Sequence, residues 1–159
     1  MTELESHAPR ASKTIDEVAV GDRIDVHYVI TDDDLRKFAE LSGDYNPVHF
    51  DDEYASRSIF GQRIAHGLIS LAKFSGIFGM DLPGLGTLWD SQEVKFLAPV
   101  FLDTPYTAVA LVHSVESKRV FVDTWVEDAQ GNRVIEGRGC VIPITERQRK
   151  RVADWIISA

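Results

Sequence analysis

The amino-acid sequence predicts an α+β fold, an antiparallel sheet wrapped around a central buried helix. Two observations carry that expectation. Residues 67–80 form a helical run that is apolar on nearly every face, and the chain after residue 86 breaks into four strand-like runs separated by turn chemistry. A length of 159 residues, without internal repeats or low-complexity segments, places both features in one domain.

The elements follow in order. Val20-Gly21-Asp22 reads as a turn into a strand over Arg23–Ile30, where Ile24, Val26, Tyr28 and Ile30 alternate with Arg23, Asp25 and His27. Thr31-x-x-Asp34 resembles a capping box and opens a helix whose apolar face is Leu35, Phe38 and Ala39; Gly43 stops it. From Asp44 to His66 the chain is irregular apart from a short helix over Asp52–Arg57. So long a connection inside a compact domain points to function.

In the helix Gly67–Met80, Leu68, Leu71, Ala72, Ser75 and Phe78 fall on one stripe, and Ile69, Phe74 and Ile77 fill the remaining surface, which predicts burial nearly all round. Strands are expected over Thr87–Phe96, Tyr106–Val115, Arg119–Glu127 and Arg133–Pro143, and their short separators favour an antiparallel meander. Outside the domain, taken as residues 15–144, stand a loose polar arm (1–14) and an amphipathic tail helix (145–159). In the tail, Val152, Trp155 and Ile156 are spaced i, i+3, i+4 behind Arg147, Arg149, Lys150 and Arg151.

Composition excludes several classes of function. With 17 Lys+Arg against 25 Asp+Glu the net charge is −8, the wrong sign for a surface that neutralises nucleic-acid phosphates. No run reaches the roughly 20 apolar residues of a membrane span. The start of the chain carries Glu3 and Glu5 without an apolar core of a signal, and the single Cys140 can form no internal disulfide, so the expected setting is the cytoplasm.

The long connection holds the candidate chemistry. Asp44 and His49 pair a carboxylate with an imidazole, the combination that activates water near neutral pH. Asp22 and His27 have the same spacing, so spacing alone does not single out a site. Context separates the two pairs: Gly43 permits a sharp turn, Asn46 can bond local backbone and Pro47 fixes φ. The same residues also suit a simple capped turn.

His66-Gly67 opens the apolar helix, where unpaired N–H groups and a bare Gly67 Cα suit a substrate oxygen, although a plain helix start would look alike. His66 is readable as ligand, base or loop-ordering residue. A metal held by Asp44, His49 and His66 is conceivable by residue type but matches no metal motif. Ser75, on the helix, either points toward the loop or bonds the carbonyl four residues back. The basic run Arg147, Arg149, Lys150 and Arg151 either attracts coenzyme phosphates or is a solvated face. His7, His27 and His113 receive no role.

The run Phe38-Ala39-Glu40-Leu41-Ser42-Gly43-Asp44-Tyr45-Asn46-Pro47-Val48-His49, followed by Ala55, resembles the signature of the (R)-specific enoyl-CoA hydratases in the MaoC-like dehydratase family. The similarity continues through Ala65-His66-Gly67-Leu68, Phe74-Ser75-Gly76 and Val94-Lys95-Phe96-x-x-Pro99-Val100, covering roughly Val18 to Ile144. This resemblance implies a hotdog fold, a homodimer joined through its sheets, and reversible syn-hydration of a trans-2-enoyl-CoA to an (R)-3-hydroxyacyl-CoA. It implies no redox cofactor and no metal. By position, Asp44 and His49 hold and activate water, Gly67 N–H polarises the thioester carbonyl, Asn46 supports the loop, and Ser75 lies near the active centre.

Leu71, Ile77, Phe78, Leu82 and Leu85 are the candidate residues of the acyl pocket. Other outcomes remain open within this fold: a branched or dicarboxylic substrate of the mesaconyl-CoA type, with Arg57 or Arg63 as the extra cation, an acyl-CoA thioesterase, or a non-catalytic acyl-binding module.

Overall fold

The structure, a computed structural model, describes residues 11–151. Its core element order is β1 (Arg23–Tyr28), α1 (Asp32–Ser42), α2 (Pro47–Phe50), α3 (Asp52–Arg57), α4 (Gly67–Met80), β2 (Leu88–Phe96), β3 (Tyr106–Glu116), β4 (Arg119–Asp128) and β5 (Arg133–Ile142). The five strands form one antiparallel sheet in the order β1-β3-β4-β5-β2. The meander expectation therefore holds for β3 to β5 only. After β2 the chain crosses the sheet to enter β3, which leaves β2 at one edge beside β5 and β1 at the other beside β3.

The helix lies on the sheet because the facing residues alternate with period two. Ala108, Ala110 and Val112 of β3, Val120 and Val122 of β4, and Ile135 and Val141 of β5 are buried in one cluster with Phe74, Ile77 and Phe78 of α4. Small residues set the approach distance. A Cβ on Gly139 of β5 would stand 3.3 Å from the Phe78 ring and 2.7 Å from Gln92 Oε1, so only glycine leaves both in place.

Helix α1 is as read from sequence. The Thr31 hydroxyl accepts from Asp34 N–H (3.3 Å) and the Asp34 carboxylate accepts from Thr31 N–H (2.8 Å), closing a reciprocal cap. Gly43 takes the left-handed conformation at φ 77°, and its N–H closes the helix on Ala39 O.

Two expectations need correction. The buried residues of α4 are Ile69, Ser70, Phe74, Ile77 and Phe78, whereas Leu68, Ala72, Ser75 and Gly76 are exposed in the single chain. The stripe was misplaced because a helix apolar all round gives periodicity no polar face to measure against. The arm is bound over its described part: Ala11 and Lys13 N–H donate to Met80 O and Pro83 O, and Leu85 N–H donates to Ala11 O. Of the tail, residues 146–151 are helical behind Thr145, whereas Val152, Trp155 and Ile156 lie outside the described residues. Arg149 is tied to Glu17 and Glu146.

Candidate active site

Gly43 ends α1 with a turn, and the next residues start another helix almost at once. Asn46 caps α2, its side-chain oxygen accepting from Val48 N–H (3.2 Å), with Pro47 in the first helical position. Asp44 is bent into the same turn, its carboxylate accepting from Asn46 N–H at 3.2 Å. One helical turn later His49 points inward and is 8 % exposed. This four-residue helix is the element the sequence reading missed, although the Asn-Pro pair was its signal.

His49 Nδ1–H donates to Ile64 O at 2.8 Å. A carbonyl only accepts, so the proton sits on Nδ1 and the Nε2 lone pair is left open. That Nε2 lies 3.8 Å from Asp44 Oδ2, too far for a direct bond. Burial pushes the His49 imidazole below its ordinary pKa. The Ile64 bond and the Asp44 carboxylate oppose that shift, and the neighbouring His66 reinforces it. At neutral pH His49 is therefore an uncharged base facing a half-exposed carboxylate.

His66 closes the site from behind. It is 3 % exposed, its Nε2–H donates to the main-chain oxygen of Asp44 at 2.9 Å, and its ring stacks on His49 with centroids 3.7 Å apart. Of the three sequence readings, the loop-ordering one describes this contact. Polar atoms of Asp44, His49 and His66 come within 4.8 Å of one another, the residue set that would hold a metal. The His66 Nε2 proton, however, is committed to a carbonyl, which leaves that nitrogen without a lone pair to donate.

Gly67, the next residue, opens α4, so its N–H has no acceptor within the helix. Beside it runs an apolar groove of about 460 Å³, lined by Phe60, Ile64, Leu68, Phe96, Leu97 and Pro99 among others. The Phe96 ring covers the Cα of Gly67, so a Cβ there would stand 2.5 Å from it. A larger groove of about 580 Å³ lies on the outer sheet face among Glu93, Lys95, Asp123 and Arg138, which are poor company for an acyl chain.

The structure thus brings together Asp44, Asn46, His49, His66 and Gly67. None of the acyl-pocket candidates lines the groove beside Gly67. Ile77, Phe78 and Leu82 are buried in the core, and Leu71 packs against it. Leu82 and Leu85 lie beyond the far end of α4, a helix of 14 residues and so roughly 20 Å long. Ser75 is on the exposed face. Phe60 and Phe96, which line the groove beside Gly67, were not singled out; the apolar run after β2 was the available signal. Asp22 and His27 stay apart, Asp22 on Lys13 and His27 on Thr107.

Comparison with known proteins shows the family and the fold. Residues 15–134 match the model of the MaoC like domain. The chain is 34% identical over 128 residues to the (R)-specific enoyl-CoA hydratase of Rhodospirillum rubrum, covering 80% of this chain and 89% of that protein. Among solved structures, the R-hydratase PhaJ1 of Pseudomonas aeruginosa superposes with a TM-score of 0.78 at 34% identity, covering 84% of this chain and 86% of that one. The (R)-hydratase of A. caviae gives a TM-score of 0.78 at 28% identity, covering 80% and 98%. The chain belongs to the MaoC-like dehydratase family and has the hotdog fold. It is a hydro-lyase.

Proposed function

We propose that this protein is an (R)-specific enoyl-CoA hydratase, adding water reversibly across the double bond of a trans-2-enoyl-CoA to give an (R)-3-hydroxyacyl-CoA. The observation that carries this reading is the 3.8 Å gap between His49 Nε2 and Asp44 Oδ2 beside the first N–H of α4. Two open acceptors at that separation hold one water by both its protons.

The addition makes a C3–O bond and a C2–H bond and moves charge onto the thioester oxygen. The member of the pair that takes a proton from water as oxygen attacks C3 then holds that proton and delivers it to C2, so the base is regenerated and no net proton or electron is exchanged. Gly67 N–H, at the positive end of α4, stabilises the enolate oxygen. Because water and proton come from one face, the addition is syn. Asn46 keeps the loop in shape.

The acyl group carries no second carboxylate in this reading. Arg63 is already held by Asp32 (3.0 Å) and Asp52 (3.1 Å), and Arg57 by Glu53, so neither is free to recognise a dicarboxylate. The protein works as a cytoplasmic homodimer. Edge strand β2 and the exposed α4 residues Leu68, Ala72 and Ser75 offer surface to a second copy, with Leu88, Phe96 and Leu97 each at least half exposed.

A panel of crotonyl-, octenoyl- and mesaconyl-CoA tests the assignment. Loss of the conjugated chromophore without free thiol is expected for the first two. Thiol release would make the protein a thioesterase, and turnover of mesaconyl-CoA alone would overturn the reading of the arginines.

A further inference from the structure

The imidazole of His66 is more than the space it fills. It is almost completely buried, and its second nitrogen, Nδ1, is buried without a hydrogen-bond partner. A phenyl ring would occupy the same place, between Phe38 (4.9 Å) and Phe50 (5.9 Å), without leaving a polar atom unpaired. Two contacts distinguish the imidazole from that alternative. Its Nε2–H reaches 22 residues back in the chain to the Asp44 carbonyl, and its face lies on the His49 ring.

The geometry points to His66 as the positioning residue of the site, holding the Asp44 main chain by a hydrogen bond and the His49 ring by stacking, so that one side chain sets the distance between carboxylate and base. The inference rests on the hydratase reading for its kinetic consequence, but its structural content does not. Asp44 stands in an exposed turn whose own bonds, Asp44 N–H to Ser42 Oγ and Asn46 N–H to the Asp44 carboxylate, are both 3.2 Å long. The His66 bond, at 2.9 Å, ties that turn to the rigid start of α4. The only titratable groups in contact with His66 among the described residues are Asp44, from the turn, and His49, from α2; α1 presents Phe38. His66 therefore also bears on the charge of His49, since a neighbouring imidazole disfavours a positive charge there.

Two variants separate the contacts. His66→Phe keeps a ring and loses the donor; His66→Gln keeps an N–H donor of similar reach and loses the ring. On crotonyl-CoA, His66→Phe should lower kcat about ten- to a hundredfold with KM little changed, the size expected of misplacing a reacting group by about 1 Å. His66→Gln should recover most of that loss. Nitrogen NMR on the imidazoles supplies a readout that does not need turnover. In the unaltered protein His49 should be the Nδ1–H tautomer, and in both variants its titration midpoint should move up. An unmoved His49 midpoint in both, or kcat of His66→Phe equal to that of the unaltered protein, would overturn the proposal. Absence of hydration by the unaltered protein would instead count against the function, and the NMR titration would still decide the role of His66.

Discussion

A carboxylate and an imidazole five residues apart do nothing by spacing, as Asp22 and His27, each bonded elsewhere, demonstrate within the same chain. What distinguishes Asp44 and His49 is that the fold brings them together, Nε2 3.8 Å from Oδ2, with the Ile64 carbonyl fixing the His49 tautomer. Asp44→Ala and His49→Ala should each lower turnover roughly 10²-fold or more, with the far-ultraviolet circular dichroism spectrum unchanged. The pH dependence has a definite sign. Burial places the His49 pKa below the ordinary value of about 6.5, so the neutral base persists on acidification and the acid limb of kcat/KM should fall below pH 6.5. The same shift contributes stability above pH 6.5 that is lost as pH falls from there through the folded-state value. A limb at or above 6.5 would contradict this assignment. Asp44, Asn46, His49 and Gly67 were legible in the sequence because Gly43 and Pro47 mark a stiff bend. A loop-ordering part for His66 was among the readings of the sequence, but its partner was not legible, since the Asp44 carbonyl lies far back in the chain and only the folded loop brings the two together.

At the scale of elements, the helix caps were the clearest signals, and Thr31, Gly43 and Asn46 act as their residue types predict. Asn46 connects stability to chemistry. Asn46→Ala removes the acceptor for Val48 N–H and should cost about 1 kcal/mol in denaturant unfolding, together with a several-fold loss of kcat as α2 loosens. Asn46→Asp, which caps equally well, should restore the stability. Strand positions were legible to within a residue or two, because turn residues bound them. The sheet order was not: the pairing of β2 with β5 depends on a crossover that no local pattern encodes. The buried face of α4 was not legible either. Its apolar residues surround the helix, and only packing on the sheet selects Phe74, Ile77 and Phe78 over Leu68 and Ala72.

The whole molecule accounts for that surplus of apolar surface. A nine-residue edge strand with half-exposed Leu88 and Phe96 at its ends, next to a helix face of small residues, is a surface that a second copy would cover. Light scattering should give twice the chain mass. Ala72→Glu, close to neutral for a monomer because Ala72 is exposed, should shift the protein toward the single-chain mass. The negative net charge is the wrong sign for a nucleic-acid surface, and among the described residues no helix is long and apolar enough to cross a membrane. The proposed function turns on one arrangement, a water held by Asp44 and His49 on a single face of the acyl plane. Hydration of crotonyl-CoA in D2O, followed by NMR of the product, tests it directly. The account predicts one (3R) diastereomer with deuterium at C2 syn to the new hydroxyl; an anti product, or a mixture of the two, would contradict it.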